Sequence, residues 1–404
     1  MTYASIDLGS DTLKIVVCEY CDNKYNVLAS TNTRVVGIKR GVIKDEAMVI
    51  KSIDLAVSEI EKQLGFRIDK AIVSLPAYDM DVNVYNGECE ISGIVSGSDI
   101  ATCFKRAIKE NISDEREVIT VFPIDFVIDD EEKVYDPKGM DAFKLSTRVL
   151  ISTLPKELVY TYLELFQKCN IEVIDLCYST LGDFYQAVRK EEQKNIGAVI
   201  NIGSSKTEIS IFNKGLMIKG VVLPIGSKLL DKDIKYVYHL DGINARNLKE
   251  NFALANSQYA DDERIDLINL EGENISISRR EISQIVESRL EEILKNVKKY
   301  LNNLTNKEIS YIIITGGITD IPGFNSVMEN IFGVLSHSVN MNVLGVRSNL
   351  YSSCMGMIKY LHDKLELRGI NYTMYESLSL KKDKKKSFLN DYVIEKIEEY
   401  LNNN

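Results

Sequence analysis

The amino-acid sequence predicts an α/β protein built from two similar halves around a ligand cleft. Strand and helix patterns alternate along the chain, as in folds whose sheets are covered by helices. Two segments, 4–17 (ASIDLGSDTLKIVV) and 199–212 (VINIGSSKTEISIF), each read as a buried strand, a turn of small residues and a second strand. The equivalent positions, 194 residues apart in each pair, are Asp7 and Asn201, Gly9 and Gly203, and Ser10 and Ser204. A hairpin repeated at the start of each half indicates a duplicated architecture.

Length, charge and composition exclude several classes of protein. At 404 residues the chain is too long for one compact core and predicts at least two domains. The formal net charge of −10 argues against a nucleic-acid-binding protein, which normally carries a basic surplus. No run of about 18 apolar residues exists and the N-terminus lacks a signal-peptide pattern, so neither a membrane span nor secretion is predicted. Seven cysteines, an odd number spread along the chain, fit a reducing cytoplasm.

The first half opens with a hairpin over residues 1–30 and continues with alternating helices and strands. A helix over 45–65 has apolar residues at helical spacing and ends at the stop signal Gly65. The next helix, over 98–110, is predicted to be capped by Ser98 or Asp99. The remaining predicted segments are strands at 70–76, 116–129 and 143–153, a helix at 155–170, and a strand leading into a helix over 171–190.

The second half repeats this order of elements. A hairpin over 198–223 is followed by helical segments, the longest of which has one apolar face. That face consists of Ile282, Ile285, Val286, Ile293, Leu294 and Val297. A buried strand followed by a double glycine is predicted at 310–324, and a closing helix at 348–365.

The turns of the two hairpins have the chemistry of phosphate-binding loops. Glycine in a tight turn lets backbone N–H groups face a ligand with no Cβ in the way, and Lys14 and Lys206 would supply positive charge. Asp7, at the end of the first strand, is the predicted ligand of a hydrated Mg²⁺. The double glycine Gly316–Gly317 would let a flat ring or a ribose approach the backbone. One such hairpin is more often an ordinary turn, but two hairpins and the double glycine together favour a nucleotide cleft.

The sequence resembles the actin/Hsp70/sugar-kinase superfamily, whose two phosphate loops and adenosine loop come in this order. Within that superfamily it resembles the FtsA family of bacterial cell-division proteins over roughly residues 3–360. The segments that carry the resemblance are GIKRGVIKD (37–45), DPKGM (136–140), SRREISQIVESRLEEIL (278–294) and ITGGITDIPGF (314–324), with LKENFALA (248–255) a looser match. The resemblance implies an actin-like duplicated fold of two domains, ATP and Mg²⁺ as cofactors, polymerisation, and tethering of the tubulin-like FtsZ ring to the membrane.

The resemblance also implies which residues contact the nucleotide. They are Gly9, Ser10, Asp11 and Lys14 in the first loop, Asn201, Gly203, Ser204, Ser205, Lys206 and Thr207 in the second, and Gly226, Lys249, Gly316 and Gly317 beyond it. The second phosphate loop of the family usually starts with an aspartate, whereas this chain has Asn201, which contributes no charge. Arg246 likewise stands where an acidic residue is more usual. These departures predict retained ATP binding with slow hydrolysis at most, and no catalytic residue is assigned.

The domain boundaries implied by the resemblance are these. Residues 1–79 and 161–197 form the first lobe, interrupted by an inserted subdomain at 80–160, and residues 198–347 form the second lobe, with a partner-binding part at about 228–305. A closing helix at 348–365, a basic linker at 366–386 and an amphipathic helix at 387–404 complete the chain.

Two segments are candidates for protein partners. The inserted subdomain is implied to contact neighbouring copies in a filament and later divisome membrane proteins, although DPKGM alone reads as a tight turn. The helix over 279–301 carries arginines beside its apolar stripe, which is also typical of a solvated charged face. The resemblance implies that Arg280 and Arg289 form a basic socket for the acidic and apolar C-terminal tail of FtsZ.

The C-terminal segment 387–401 (SFLNDYVIEKIEEYL) is amphipathic and follows the polybasic stretch KKDKKK at 381–386. Such a segment binds either a membrane surface or a partner groove. Its polar face is acidic, so the lysines would provide the attraction to an anionic membrane. The resemblance favours peripheral attachment to the cytoplasmic face of the cell membrane at the division septum. The predicted inserting side chains are Phe388, Leu389, Val393 and Ile397.

Two other functions stay open at this point. A small-molecule kinase of the same fold would need a catalytic base between the halves, and the motifs offer no candidate. A pilus-type actin homologue would bind the peptide of a membrane protein and would need no lipid-binding helix of its own, so the terminal amphipathic segment argues against it.

Overall fold

The computed structural model describes residues 1–39 and 41–366. The predicted linker beyond Glu366 and the amphipathic helix with Phe388, Leu389, Val393 and Ile397 lie outside the described residues. None of the helices in the described part is both long and apolar enough to cross a bilayer.

The strands and helices of the described residues alternate along the chain. The strands are β1 Thr2–Leu8, β2 Thr12–Cys21, β3 Lys24–Arg34, β4 Ile38–Lys39, β5 Val42–Ile43, β6 Lys70–Leu75, β7 Asp81–Ile94, β8 Arg116–Ile128, β9 Glu132–Val134, β10 Asp141–Pro155, β11 Glu172–Tyr178, β12 Ile196–Ile202, β13 Thr207–Asn213, β14 Leu216–Leu223, β15 Arg264–Ile268, β16 Asn274–Ser278, β17 Tyr311–Thr315 and β18 Ser336–Ser338. The α-helices are α1 Glu46–Leu64, α2 Gly97–Asn111, α3 Lys156–Lys168, α4 Ser179–Ala187, α5 Lys228–Tyr238, α6 Gly242–Asn251, α7 Arg279–Leu304, α8 Phe324–Phe332 and α9 Ser352–Glu366.

Two five-stranded sheets of the same topology form the halves of the molecule. The first has the order β11-β6-β1-β2-β3, and the second, read in the equivalent direction, has the order β18-β17-β12-β13-β14. In each sheet the hairpin pair is antiparallel, and the next strand pairs in parallel with the first hairpin strand. The register places Asp7 opposite Lys14 and Asn201 opposite Glu208, which are again equivalent positions. The duplicated α/β architecture is therefore confirmed.

A smaller four-stranded sheet of order β7-β10-β8-β9 is inserted into the first half. Helix α2 packs on it and closes a separate core of buried apolar side chains. Strand β7, with fourteen residues, was not predicted from sequence. Only part of β7 is buried, and polar residues alternate along it, so its apolar signal is weak. The sequence analysis also missed the small β15–β16 hairpin beside α7.

Helix ends follow local capping chemistry. Asp45 caps α1 through a hydrogen bond from the Met48 N–H, and Gly65 ends α1 with φ of 80°, in the left-handed region that glycine favours. The predicted cap of α2 at Ser98 or Asp99 is wrong by a few residues, because the cap is Ser96. Asp99 instead completes a capping box by accepting from the Ser96 N–H.

Helices α4 and α9 lie between the two sheets and cross each other. The α4 helix packs on the second sheet, where the Phe184 and Phe212 rings stack with centroids 4.2 Å apart. The α9 helix, although it comes last in the described chain, packs on β1, β2 and β6 of the first sheet. At the crossing, a Cβ on Gly356 would lie 1.6 Å from the carbonyl oxygen of Gly182. The two backbones therefore touch at a pair of glycines where α4 and α9 cross.

Candidate nucleotide-binding site

A cleft of about 410 Å³ lies between the two halves. Its walls come from the turns of the β1–β2 and β12–β13 hairpins, from α5 and α6, and from the loop after β17. The predicted residues that line the cleft are Asp7, Gly9, Ser10, Asp11, Lys14, Asn201, Gly203, Ser204, Lys206, Lys249, Gly316 and Gly317. The structure therefore brings residues from three distant parts of the chain into one cavity.

Three predicted residues do not line the cleft. Ser205, Thr207 and Gly226 are not among the residues that line it. The Thr207 side chain is buried and donates its hydroxyl to the Ile225 carbonyl oxygen at 2.8 Å. A Cβ on Gly226 would lie 2.4 Å from the Ser204 carbonyl oxygen, so this glycine lets the chain pack against the second hairpin turn. Thr207 and Gly226 thus make contacts within the protein, and the assignment of Ser205, Thr207 and Gly226 to the nucleotide site stays a prediction.

Both hairpin turns are closed by the same backbone hydrogen bond. The Gly9 N–H donates to the Thr12 carbonyl at 3.0 Å, and the Gly203 N–H donates to the Lys206 carbonyl at 2.9 Å. A Cβ on Gly9 would come within 2.7 Å of that Thr12 oxygen, and a Cβ on Gly203 within 3.1 Å of the Lys206 oxygen. The closed turn itself therefore leaves no room for a Cβ at Gly9, whereas at Gly203 a Cβ would be tight and would need the Lys206 carbonyl to shift slightly.

A buried ion pair forms the floor of the cleft in the first half. Lys14 Nζ lies 2.8 Å from Asp7 Oδ2, and the Ser74 hydroxyl donates to Asp7 Oδ1 at 2.6 Å. Burial alone would raise the pKa of Asp7, but the charge of Lys14 and hydrogen bonds from Lys14 and Ser74 hold that pKa below its ordinary value. The Asp7 carboxylate therefore stays ionised in contact with the cavity, as a ligand of a divalent cation must.

The equivalent place in the second half holds a different arrangement. Lys206 pairs with Glu208, whose carboxylate is buried and also accepts from the Ala77 N–H at 3.4 Å across the cleft. Asn201 donates from Nδ2 to Asp183 Oδ2 at 2.7 Å and to Ser353 Oγ at 3.2 Å. Burial raises the pKa of Asp183 to about 7, against the opposing effect of hydrogen bonds from Asn201 and Ser353.

Ion pairs also join the two halves at the rim of the cleft. Arg246 Nη2 lies 2.6 Å from Asp11 Oδ2, and Lys228 Nζ lies 3.7 Å from Asp11 Oδ1. On the second-half side, Lys249 Nζ pairs with Asp231 Oδ1 at 2.6 Å. The predicted residues Asp11 and Lys249 therefore both have partners within the chain.

The loop after β17 approaches the second hairpin closely. Gly316 has φ of 103°, and a Cβ there would lie 2.3 Å from the Ile202 carbonyl oxygen. Gly317 faces more open space, with Leu350 Cδ1 at 3.3 Å from the position of an added Cβ. The double glycine thus lets the loop form the far wall of the cleft.

Sequence reasoning missed Asp183, Glu208 and Asp231. The duplication could have identified Glu208, because this residue is equivalent to Lys14 in the first hairpin. Asp231 pairs with Lys249 on the adjacent helix, a contact that only the structure shows. Asp183 lies within a helical segment and meets Asn201 only because α4 packs against β12.

The Asp7 carboxylate in the cleft fits a Mg²⁺ ion. In proteins this ion usually takes one or two carboxylates and completes its octahedron with waters and phosphate oxygens, so Asp7 alone suffices on the protein side. Among the described residues, no three His, Cys, Asp or Glu side chains come together as a protein-only metal site.

The two predicted partner-binding arginines lie on α7, away from the cleft. Arg280 Nε pairs with Asp262 Oδ1 at 2.9 Å. Arg289 pairs with Asp233, with Nη2 3.1 Å from Oδ1, and with Glu292 at 2.6 Å. Arg289 lines a shallow groove with Val237 and Ile285, between α5 and α7.

Comparison with known proteins identifies two family segments. Residues 198–356 match the family described as "Cell division protein FtsA", and residues 80–153 match the "SHS2 domain inserted in FTSA". Together the matched segments cover more than half of the chain. The second match coincides with the inserted β7-β10-β8-β9 sheet.

Curated relatives match almost the whole chain. The cell division protein FtsA of Bacillus subtilis is 27% identical over 383 residues, which are 93% of this chain and 87% of the relative. FtsA of Enterococcus hirae is 26% identical over 366 residues, which are 89% of this chain and 82% of the relative.

Solved structures share the fold at low identity. A type IV pilus PilM–PilN complex matches with a TM-score of 0.58 and 14% identity, covering 89% of this chain and 98% of the other. MreB5 of Spiroplasma citri bound to AMPPNP matches with a TM-score of 0.55 and 13% identity, covering 90% and 98%. The predicted actin-like fold with an inserted subdomain is confirmed, and the chain belongs to the FtsA family of actin-like cell-division proteins.

Proposed function

We propose that this protein binds ATP with Mg²⁺ in the cleft, polymerises on the cytoplasmic face of the membrane at the septum, and anchors FtsZ filaments there. The observation that carries the nucleotide part is the pair of glycine turns that face each other across one cavity, with Lys14 and Lys206 beside them. Nucleotide complexes of MreB5, which has the same fold, support the same use of this cleft.

The proposed roles within the cleft follow from the contacts. Backbone N–H groups of the two turns and the cations Lys14 and Lys206 hold the phosphates, and Asp7 holds the hydrated Mg²⁺. Gly316, Gly317 and Lys249 border the nucleoside. The metal supplies charge neutralisation at the phosphates when bound. Because Asn201 replaces a carboxylate, we expect turnover below about 1 s⁻¹, the lower end of the ordinary range of kcat.

Isothermal titration calorimetry with Mg²⁺-ATP tests nucleotide binding. Native protein should bind, and ATP at about 100 times its Kd should add about 2.7 kcal/mol to the free energy of unfolding. Lys206→Ala should weaken binding about tenfold or more, whereas Lys232→Ala, which removes an exposed lysine on α5 outside the cleft, should not. Absence of heat and of stabilisation with folded native protein would refute nucleotide binding.

The proposed FtsZ site is the groove between α5 and α7 that Arg289 lines. Val237, half exposed, and Ile285 offer apolar contact, and Arg289 and Arg280 offer positive charge. The Arg280–Asp262 pair is exposed, and such pairs stabilise by roughly 0–1 kcal/mol, so Arg280 can exchange Asp262 for a carboxylate of an incoming tail at small cost. The Arg289–Asp233 pair is half-buried, so its exchange costs more.

The inserted sheet is the proposed contact for neighbouring copies and for later divisome membrane proteins. Ile94, Tyr135 and Phe143 are large, mostly exposed side chains on this sheet and its loops. Residues 381–404 are the proposed attachment to anionic lipid, on the sequence pattern alone.

A further inference from the structure

The Asn201 side-chain amide has a donor atom, Nδ2, and an acceptor atom, Oδ1, and residues of the protein itself bind Nδ2. Both contacts of Nδ2 are acceptors within the protein, Asp183 Oδ2 at 2.7 Å and Ser353 Oγ at 3.2 Å. An amide nitrogen has two hydrogens, so these contacts use its full donor capacity. Asn201 nevertheless lines the cleft. The part of the amide left to face the cleft is therefore the acceptor Oδ1.

The orientation of this amide is dictated by its neighbours. In the flipped orientation Oδ1 would face the oxygen of the Asp183 carboxylate, and two acceptors would then meet inside the protein, where unpaired polar groups are costly. The Ser353 hydroxyl also donates to Asp183 Oδ1 at 3.0 Å, so the three side chains form a closed triangle. An ionised carboxylate at position 183 thus selects one face of the Asn201 amide.

The triangle is built on the crossing of the two central helices. Asp183 follows Gly182 on α4, and Ser353 lies one turn before Gly356 on α9. Because the helix backbones touch at these glycines, the backbone positions that carry Asp183 and Ser353 are fixed by the packing of the two helices. Asp183 is fully buried and Asn201 is half-buried at the end of β12, so the triangle links the crossing to the cleft wall.

We propose that Asp183 is a positioning residue, which with Ser353 holds the Asn201 amide so that Oδ1 accepts a hydrogen bond from water beside the phosphates. This inference rests on the proposed nucleotide-binding function. An Oδ1 atom cannot bond a phosphate oxygen, since both are acceptors, but it can bond the hydrogen of a water held by the metal or poised for attack. Asp183 does not line the cleft and acts through Asn201.

The same geometry explains why the second hairpin carries an asparagine. An aspartate at position 201 would place a carboxylate oxygen about where Nδ2 now lies, 2.7 Å from Asp183. Two carboxylates at such a distance cannot both ionise, and one must keep a proton. Asparagine at 201 and aspartate at 183 are therefore complementary, and the simple replacement of Asn201 by aspartate would not restore a free carboxylate to the cleft.

The test compares native protein, Asn201→Asp, Asp183→Asn and the double variant with both substitutions. The double variant exchanges the two groups, so donor again faces acceptor. Asn213→Asp, at the far end of the same hairpin, controls for added charge. The charged and titratable groups near Asp183 are the Asp7–Lys14 pair and Cys177, and they are common to all variants.

The first readout is urea unfolding without nucleotide from pH 7 to 8.5. A carboxyl whose folded pKa is raised above its unfolded value stabilises the fold only while protonated, so its stability contribution falls as pH rises towards the folded pKa. Burial raises the pKa of Asp183 to about 7, so that loss is nearly complete at pH 7 in the native chain. Native protein and the double variant should be nearly flat across this range, whereas Asn201→Asp should keep losing stability as the shared proton leaves.

The second readout is the Mg²⁺ dependence of ATP affinity at pH 7.5. The ratio of ATP affinity with Mg²⁺ to ATP affinity without Mg²⁺ should be at least about tenfold higher in the double variant than in native protein. The reason is that the cleft of the double variant carries an additional ionised carboxylate. Asn201→Asp alone should gain much less. If Asn201→Asp matches the double variant in both readouts, Asp183 does not position the amide and the inference is overturned. Loss of ATP binding in native protein would instead refute the proposed function, and the unfolding comparison would still decide whether the pair is coupled.

Discussion

Asp11 in the first hairpin turn and Arg246 on α6 form an ion pair of 2.6 Å across the mouth of the cleft. The two residues belong to opposite halves of the molecule, and Lys228 approaches the same carboxylate at 3.7 Å. Asp11 lines the cavity in which phosphates are proposed to bind, so its charge both holds the halves together and repels an anionic ligand.

We expect Asp11→Asn to raise ATP affinity severalfold and to lower the free energy of unfolding by about 1 kcal/mol, because it releases Arg246 and Lys228 to the ligand and removes a pair between the halves. Calorimetry measures the affinity and urea unfolding the stability. Asp54→Asn, which removes the exposed Asp54–Arg67 pair outside the cleft, should change neither. Unchanged ATP affinity in Asp11→Asn would contradict this account.

The buried Asp7–Lys14 pair predicts a strong and pH-dependent effect. Lys14→Met leaves Asp7 buried without its cation and should cost about 3–5 kcal/mol in the free energy of unfolding. The folded pKa of Asp7 is lowered, so its contribution is present above its unfolded pKa and is lost in acid; the folded pKa of Lys14 is raised, so its contribution is lost only in strong alkali. In Lys14→Met, burial acts on Asp7 without the opposing charge of Lys14 and raises the pKa of this carboxyl, so the variant loses stability as pH rises above the unfolded pKa of Asp7. In urea unfolding, the difference between native and variant protein should therefore be smallest in acid and grow as pH rises.

The matched control for that prediction combines Asp7→Asn with Lys14→Met. It removes both charges, so no buried ion is left unpaired, and much of the stability should return. ATP binding should stay weak in the double variant, since both the cation and the proposed metal ligand are absent. Equal stability of the single and the double variant would show that the two charges do not depend on each other.

The glycine crossing predicts that Gly356→Ala is severely destabilising. An added methyl group would lie 1.6 Å from the Gly182 carbonyl oxygen, so α4 and α9 must separate. Overpacking usually costs about 1–3 kcal/mol, and this backbone contact should reach the upper end or exceed it. Thermal unfolding of Gly242→Ala provides the control, because a Cβ there meets nothing within 4 Å. Native-like stability in Gly356→Ala would mean that the helices separate without cost.

The contrast between Asp7 and Asp183 explains how much of the molecule the sequence could predict. Asp7 was found because it lies in a local pattern of strand, glycine turn and strand, and this pattern recurs 194 residues later. Duplication, strand order within the hairpins and the cleft follow from such local signals. Asp183 is separated from its partners Asn201 and Ser353 by helix and strand ends that only tertiary packing brings together.

The same distinction holds for residues beside the second phosphate loop. Thr207 and Gly226 are close to this loop in sequence, but neither lines the cleft, and the Thr207 hydroxyl donates to the Ile225 carbonyl oxygen instead. The resemblance implies that Ser10 contacts the nucleotide, and in the structure its hydroxyl accepts from the Gly41 N–H at 2.8 Å, which ties the first turn to the 37–45 segment. Sequence proximity identifies a loop, but not which of its side chains face the ligand.

The groove between α5 and α7 predicts which charged residues contribute to FtsZ binding. The double variant Arg280→Glu, Arg289→Glu should weaken binding of an FtsZ C-terminal tail peptide about tenfold or more and reduce its salt dependence, as measured by fluorescence anisotropy. Lys295→Glu reverses a charge on the same helix, at an exposed residue that does not line the groove, and should have little effect. Equal loss in both would point to net charge rather than to this groove.

Membrane attachment is predicted to need both the apolar arc and the lysines of residues 381–401. A fully buried Phe, Leu, Val or Ile side chain stabilises by roughly 1.5–3 kcal/mol, but an interfacial helix buries only part of each, and ordering the segment costs backbone entropy. One tail should therefore bind weakly, and polymerisation should make attachment firm by raising the effective concentration of tails.

The test of membrane attachment is co-sedimentation with phosphatidylglycerol vesicles. Phe388→Asp should release even filaments from the vesicles, because it places a charge within the apolar arc of Phe388, Leu389, Val393 and Ile397. Asn390→Asp adds the same charge beside the arc and should retain binding. Because the lysine attraction is screened, raising salt should release monomers before filaments. Intact vesicle binding by Phe388→Asp would make the segment a partner-binding helix instead.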